Sequence, residues 1–248
     1  MKKNNNFYYN KVVYKPWGYE YVIYSSSNRL AITFLKINYG QKTSLHCHPK
    51  KKTGFIILRG KALVQIGLYK ENNKSYSSLS RLVFRPGLFH SIKAISKQGV
   101  CALEFETPFK KNDLVRFKDD YGRSAKLYEG KKFTKTIESN FIKFKKPKLG
   151  KKQKYNFNNL EISLEVRKNL KNLVKKDEVT TSAILDGKIV DNNGQNVISY
   201  GEIVKTSTLR ILSDVYKIRK PLTILRVSKK NVNSTKVRKY KNYKLKYY

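Results

Sequence analysis

The chain has 248 residues and a formal net charge of +37, from 54 Lys and Arg against 17 Asp and Glu. Hydrophobic residues at 40% and aromatics at 12% supply enough apolar side chain for a buried core, which excludes wholesale disorder. No window approaches the roughly 18 consecutive apolar residues of a membrane-spanning helix, and the opening MKKNNNFYYN has charge without an apolar stretch, so a cytoplasmic protein with no membrane span is expected.

The charge is spread evenly: 23 basic against 7 acidic side chains in residues 1–123, and 31 against 10 in residues 124–248. Such a spread reads as compositional bias more than as a nucleic-acid-binding face, yet it draws anionic small molecules toward any cleft. Cys47 and Cys101 are too few for a disulfide framework and are not spaced as a zinc knuckle.

In chain order, the first half is a series of short runs rich in Val, Ile, Tyr, Phe and Thr, punctuated by Gly, Pro, Asn and Ser. They are KVVYK, YEYVIYS, LAITFLKI, GFIILRG, KALVQIGLY, RLVFRP, HSIKAI and VCALEFET. That pattern predicts an all-β sandwich or barrel over residues 10–123. Residues 124–158, with clustered lysines and Lys146-Pro147-Lys148, read as a basic linker. Residues 159–230 read as a second, smaller β-rich or α+β unit. It opens on an amphipathic helix with Ile162, Val166, Leu170, Leu173 and Val174 on one face, and a short helix is expected around Leu209–Tyr216. The tail 231–248 interleaves Lys and Tyr and reads as a solvated terminus.

All three histidines fall in extended contexts. His46 and His48 lie two apart, which puts both imidazoles on one face of a strand and turns Cys47 away to pack. His90 opens another strand after Pro86-Gly87. Three imidazoles with open positions make a catalytic arrangement for a divalent ion such as Zn, Mn, Fe or Ni.

The stretch GQKTSLHCHPKKKTGFIILRG resembles the first cupin signature, G-x5-H-x-H-x(3,4)-E-x6-G, with Gly40, His46, His48 and Gly60 in place. RPGLFHSIKAI resembles the second, P-x-G-x2-H-x3-N, with Gly87 and His90 in place, Arg85 at the proline position and Ala94 at the asparagine position. The resemblance implies a double-stranded β-helical, jelly-roll barrel with metal in its mouth. Within the cupins, KPWGYE, SLHCH and ALEFETPFKKNDLVRFKDDYGR are similar to segments of the isomerase domain of type II mannose-6-phosphate isomerases, over about residues 14–123. Thr53 stands where the signature has a metal-binding Glu, and His46 where the isomerases have Gln.

The isomerase resemblance implies a metal-dependent aldose–ketose isomerase or epimerase acting on an anionic substrate such as a sugar phosphate, in nucleotide-sugar or surface-polysaccharide metabolism. Such chemistry needs a base near neutrality and something to hold charge on the sugar oxygens. Glu104 and Glu106, on one face of VCALEFETP, are the candidates for the base. Arg85, near His90, and Arg116 and Arg123, in the closing motif, are the candidates for phosphate. Trp17 and Tyr19 read as packing residues. Two alternatives stand beside this reading: a non-catalytic sugar- or metal-binding regulatory cupin, and a three-histidine iron dioxygenase. A homodimer is compatible with either. The second unit has no histidine, so it cannot repeat the site; a degenerate second cupin lobe is expected there.

Overall fold

A computed structural model describes residues 5–26, 28–123, 129–170 and 180–230. The chain divides into two compact units, Met1–Glu138 and Ser139–Tyr248.

Among the described residues, twelve strands build the first unit: β1 (Lys11–Lys15), β2 (Gly18–Ser26), β3 (Leu30–Ile37), β4 (Leu45–Cys47), β5 (Lys52–Arg59), β6 (Ala62–Ile66), β7 (Asn73–Tyr76), β8 (Arg81–Phe84), β9 (His90–Ala94), β10 (Val100–Thr107), β11 (Val115–Lys118) and β12 (Thr134–Thr136). They form a seven-stranded sheet in the order β12-β1-β2-β3-β10-β5-β8 and a five-stranded sheet in the order β11-β4-β9-β6-β7. From β3 to β11 the chain changes sheet at every connection except the β6–β7 hairpin. That alternation winds the chain as a double-stranded β-helix.

One hydrophobic core is shared by the two sheets. Leu35, Ile37, Phe55, Ile57, Phe84 and Ala102 come from the larger sheet, and Val64, Ile92 and Ala94 from the smaller. Because side chains alternate along a strand, the inward rows can be read directly. The row on β10 runs Val100, Ala102, Glu104, Glu106; that on β5 runs backward from Ile57 through Phe55 and Thr53 to Lys51; that on β9 runs Ala94, Ile92, His90. Each row begins apolar and ends polar, which gives the barrel an oily base and a functional end. Trp17 belongs to the base and is buried there, as its reading as a packing residue requires. Gly60 ends β5 at φ +85°, and a Cβ would lie 1.9 Å from the Gly99 carbonyl oxygen, so only glycine fits where the first signature closes.

The second unit is built from β13 (Gln153–Phe157), β14 (Leu160–Arg167), β15 (Thr181–Val190), β16 (Asn196–Ser199), β17 (Ile203–Lys205), α1 (Thr206–Val215) and β18 (Lys217–Lys229). Its strands form one antiparallel sheet, β13-β14-β18-β15-β16, with β17 also on β15. Leu209 of α1 is buried in a core with Ile184, Ile189, Leu222 and Ile224.

Three expectations are corrected here. The helix expected from residue 162 is strand β14, fully paired with β18 from Leu160 to Arg167. LEISLEV alternates apolar residues at period two as well as offering helical spacing, and long-range pairing decided between them. The end of that expected helix, 171–176, lies outside the described residues, as does the tail 231–248. The segment read as a linker contributes β12 to the edge of the first unit and β13 to the second. Among the described residues the second unit has a single sheet, not the facing pair that another barrel lobe requires.

Candidate metal centre

The three histidines converge at the polar end of the barrel. His46 on β4 is paired directly with His90, the first residue of β9, and His48 follows β4. The three imidazoles bring one nitrogen each to within 4.8 Å of the others. Among the described residues this is the grouping of His, Cys and carboxylate side chains able to hold an ion.

Every ring is oriented from behind by a backbone carbonyl. His46 Nδ1 lies 2.7 Å from the Ser44 oxygen, His48 Nδ1 lies 2.5 Å from that of Asp113, and His90 Nδ1 lies 3.0 Å from that of Leu88. A carbonyl only accepts, so each Nδ1 carries the proton and each Nε2 is left with a lone pair. His90 is further held by Phe84, stacked at 4.1 Å with an 11° angle between the rings.

Burial, and then the neighbouring His90, holds His46 well below the usual imidazole range. Burial followed by Lys51 does the same for His48, and burial lowers His90 to about 4. All three are therefore neutral near pH 7, the form that binds metal. The Nε2 atoms of His48 and His90 are buried with no hydrogen-bond partner. Leaving such acceptors unsatisfied is costly, and a divalent ion would satisfy them together. The residues present thus fit a metal held by three imidazoles.

Glu104 and Glu106 lie beside this centre but in different environments. Glu106 accepts from Lys51 Nζ at 2.5 Å, Lys111 Nζ at 2.9 Å and Thr33 Oγ1 at 3.0 Å. Burial pushes its carboxyl up, but the two ammonium groups overcome this and hold it at about 2. The Glu104 carboxyl makes no hydrogen bond or ion pair among the described residues. Burial, reinforced by the charge of Glu106, pushes it up to about 8. Two carboxyls two positions apart are thereby separated, one ionised and engaged, the other protonated and free to act.

Both glutamates line one cavity of about 70 Å³ with the three histidines, and Lys15, Lys51, Lys111, Arg116 and Arg123 line it too. Of the arginines named from sequence, Arg116 and Arg123 are therefore at the site, whereas Arg85 is exposed and outside the cavity lining. Arg85 follows β8 in a turn and faces away from the inward rows. Arg123 is bound to Asp119 at 2.6 Å and to Glu129 at 2.7 Å. Thr53 is buried and its hydroxyl is unpartnered, but it does not line the cavity, so the carboxylate of the signature has no substitute there.

Lys15, Lys51 and Lys111 were missed by sequence reasoning because lysine is everywhere in this chain. A usable signal existed for Lys51, which falls on the inward row with Thr53 and Phe55. The closing segment serves as a brace: the Asp113 carboxylate accepts from the backbone N–H of Lys50 and Lys51, and Tyr121 donates to Gln41.

No protein-family model matches the chain, and no curated protein matches it. Solved structures that match part of this chain include a proposed sugar phosphate isomerase from Acidithiobacillus ferrooxidans, 17% identical over 33% of this chain and 51% of that one, with a TM-score of 0.30. KdgF from Halomonas sp. is 14% identical over 39% and 84% of the two chains, with a TM-score of 0.34. A cupin-2 domain protein from Rhodospirillum rubrum is 14% identical over 41% and 70%, with a TM-score of 0.36. The match therefore spans about half the length of the first of these. The assignment of the barrel rests on its own strand order and on the placement of its signature residues. The first unit is a double-stranded β-helical barrel. Nothing in these likenesses reaches the finer resemblance to mannose-6-phosphate isomerases.

Proposed function

We propose that the cupin barrel is a metal-dependent isomerase or epimerase of a sugar phosphate, of the mannose-6-phosphate isomerase type. The observation that carries this reading is the unengaged Glu104 carboxyl in the cavity onto which three neutral, metal-competent imidazoles open.

Isomerisation of an aldose to a ketose removes a proton from the carbon beside the carbonyl and returns it to the neighbouring carbon. Glu104 in its carboxylate form takes that proton, and as the acid gives it back. A divalent ion on His46, His48 and His90, when bound, supplies Lewis-acid stabilisation of charge on the sugar oxygens. Lys51, fixed by Glu106, adds a positive charge on the same side. Arg116 on the cavity wall favours an anionic group on the substrate, whereas Arg123 there is already paired with Asp119 and Glu129. Phe55, Trp17 and Ile92 keep the floor apolar, which maintains the raised Glu104 pKa.

The three-imidazole set without a carboxylate ligand favours a second reading, ferrous iron used with dioxygen. Glu104 separates the two, because only the isomerase needs a proton carrier at that place.

The test begins with metal content of the purified protein beside a His46→Ala, His48→Ala variant, followed by sugar phosphate isomerisation in deuterium oxide. The reading expects metal only in the parent protein, solvent deuterium at the carbon next to the carbonyl, and a rate loss of about 100-fold or more in Glu104→Gln. Metal in both proteins, or deuterium exchange unchanged in Glu104→Gln, would overturn it. Oxygen uptake with iron, and no exchange, would favour the second reading.

A further inference from the structure

A second, larger cavity of about 370 Å³ adjoins the metal centre within the first unit, lined by Tyr14, Lys15, Pro16, Tyr121, Arg123, Glu129, Gly130 and Phe133. It shares Lys15 and Arg123 with the histidine cavity. The partition between the two is an ion-pair cluster: Glu129 accepts from Arg123 Nη1 at 2.7 Å on one side and from Lys15 Nζ on the other. Neither the proposed reaction nor the metal ligands account for this space.

Its walls and its floor differ in chemistry. Tyr14 on β1 and Phe133, immediately before β12, flank it at the end of the β1–β12 ladder. The two residues are 42% and 41% exposed, and each ring has one lysine beside it, Lys135 Nζ 5.7 Å from the Tyr14 centroid and Lys132 Nζ 5.0 Å from that of Phe133. Tyr121 adds a third ring, with the Arg123 guanidinium 5.1 Å from its centroid. The floor presents carboxylate oxygens and N–H donors side by side. Its charges nearly cancel, since Asp119 binds Arg123 and Glu20 lies 3.8 Å from Lys15.

A balanced floor gives no surplus attraction for a phosphate. It suits hydroxyl groups, which donate to a carboxylate and accept from an ammonium or guanidinium at once. Aromatic walls suit an apolar face of C–H groups. A pyranose ring has both features, a C–H face and a rim of hydroxyls, and 370 Å³ is within the range of small-molecule pockets. We propose that the second cavity is a subsite for a neutral hexopyranose ring, stacked on Tyr14 and Phe133 and hydrogen-bonded to Glu129 and Arg123. The proposal does not depend on the reaction assigned to the histidines. The shared partition places such a ring next to whatever binds at the metal centre.

Saturation-transfer NMR on the full chain tests this, with methyl hexopyranosides as probes and with uridine and adenosine beside them. Saturation is expected on the ring C–H protons of at least one hexopyranoside. Binding should weaken about tenfold in Tyr14→Ala and in Phe133→Ala, and be unchanged in His46→Ala. Both aromatic rings are exposed, so their truncation leaves the core intact; a circular-dichroism melt confirms this for each variant. No saturation of any hexopyranoside, stronger saturation of the nucleosides, or binding unaffected by both aromatic substitutions would overturn the proposal.

Discussion

His46 and His90 are direct cross-strand partners, the single paired position between β4 and β9, with their ring centroids 4.6 Å apart. The site is therefore set by register: a one-residue slip would send either imidazole to the opposite face. His46→Ala or His90→Ala should lower divalent-metal affinity about 100-fold or more by titration calorimetry. Ser44→Ala should leave it within about threefold, because His46 is oriented chiefly by the Ser44 carbonyl, which any residue provides.

Acid should destabilise the metal-free protein through these rings. His90 has its folded-state pKa lowered from 6.5 to about 4. Below pH 6.5 the unfolded chain binds a proton that the folded chain does not, so stability falls as pH drops toward 4. For His90 alone the loss from pH 7 to pH 5 is on the order of 2 kcal/mol. Urea unfolding at the two pH values, in the parent protein and in His90→Gln, measures it. An equal loss in both would show that His90 is not its source.

Glu104 acts with the opposite sign. Its folded pKa is raised to about 8, so between pH 4.5 and 8 the folded protein holds a proton that the unfolded chain releases, and stability falls as pH rises. Glu104→Gln removes this penalty and should be more stable than the parent at pH 8, with the gap closing toward pH 5. Glu106→Gln should be destabilised at both, by about 3–5 kcal/mol, because it strips the buried Lys51 and Lys111 of their shared carboxylate. Paired denaturation curves distinguish the two.

Lys51 should weaken metal binding. Its charge is among the influences that lower all three imidazole pKa values, and it lies on the inward row that in the first signature carries an acidic ligand. Lys51→Met is expected to bind a divalent ion about tenfold more tightly at pH 7. Unchanged or weaker affinity would mean that its charge is fully neutralised by Glu106.

The barrel and its histidines were legible because both are written in short-range code. Alternation marks the strands, and the two-residue step from His46 to His48, with Pro86-Gly87 ahead of His90, marks the three residues that the fold brings together. What stayed hidden depends on pairing between distant segments. Glu104 and Glu106 look alike on one strand, and only the arrival of Lys51 and Lys111 from elsewhere separates them. Arg85 is close to His90 in sequence, yet the turn after β8 carries it outward. The strand read as a helix from residue 162 failed for the same reason, since its partner β18 lies some sixty residues away.

Two of the three imidazoles are held by carbonyls two residues upstream, but His48 is held by Asp113, sixty-five positions along the chain. An ion gripping all three would therefore couple His46 and His90 to the closing brace, and would act as a clasp on the seam where β11 pairs with β4. Occupancy of the centre would be felt as slower opening of that seam, visible to a protease or to hydrogen exchange without any substrate at hand.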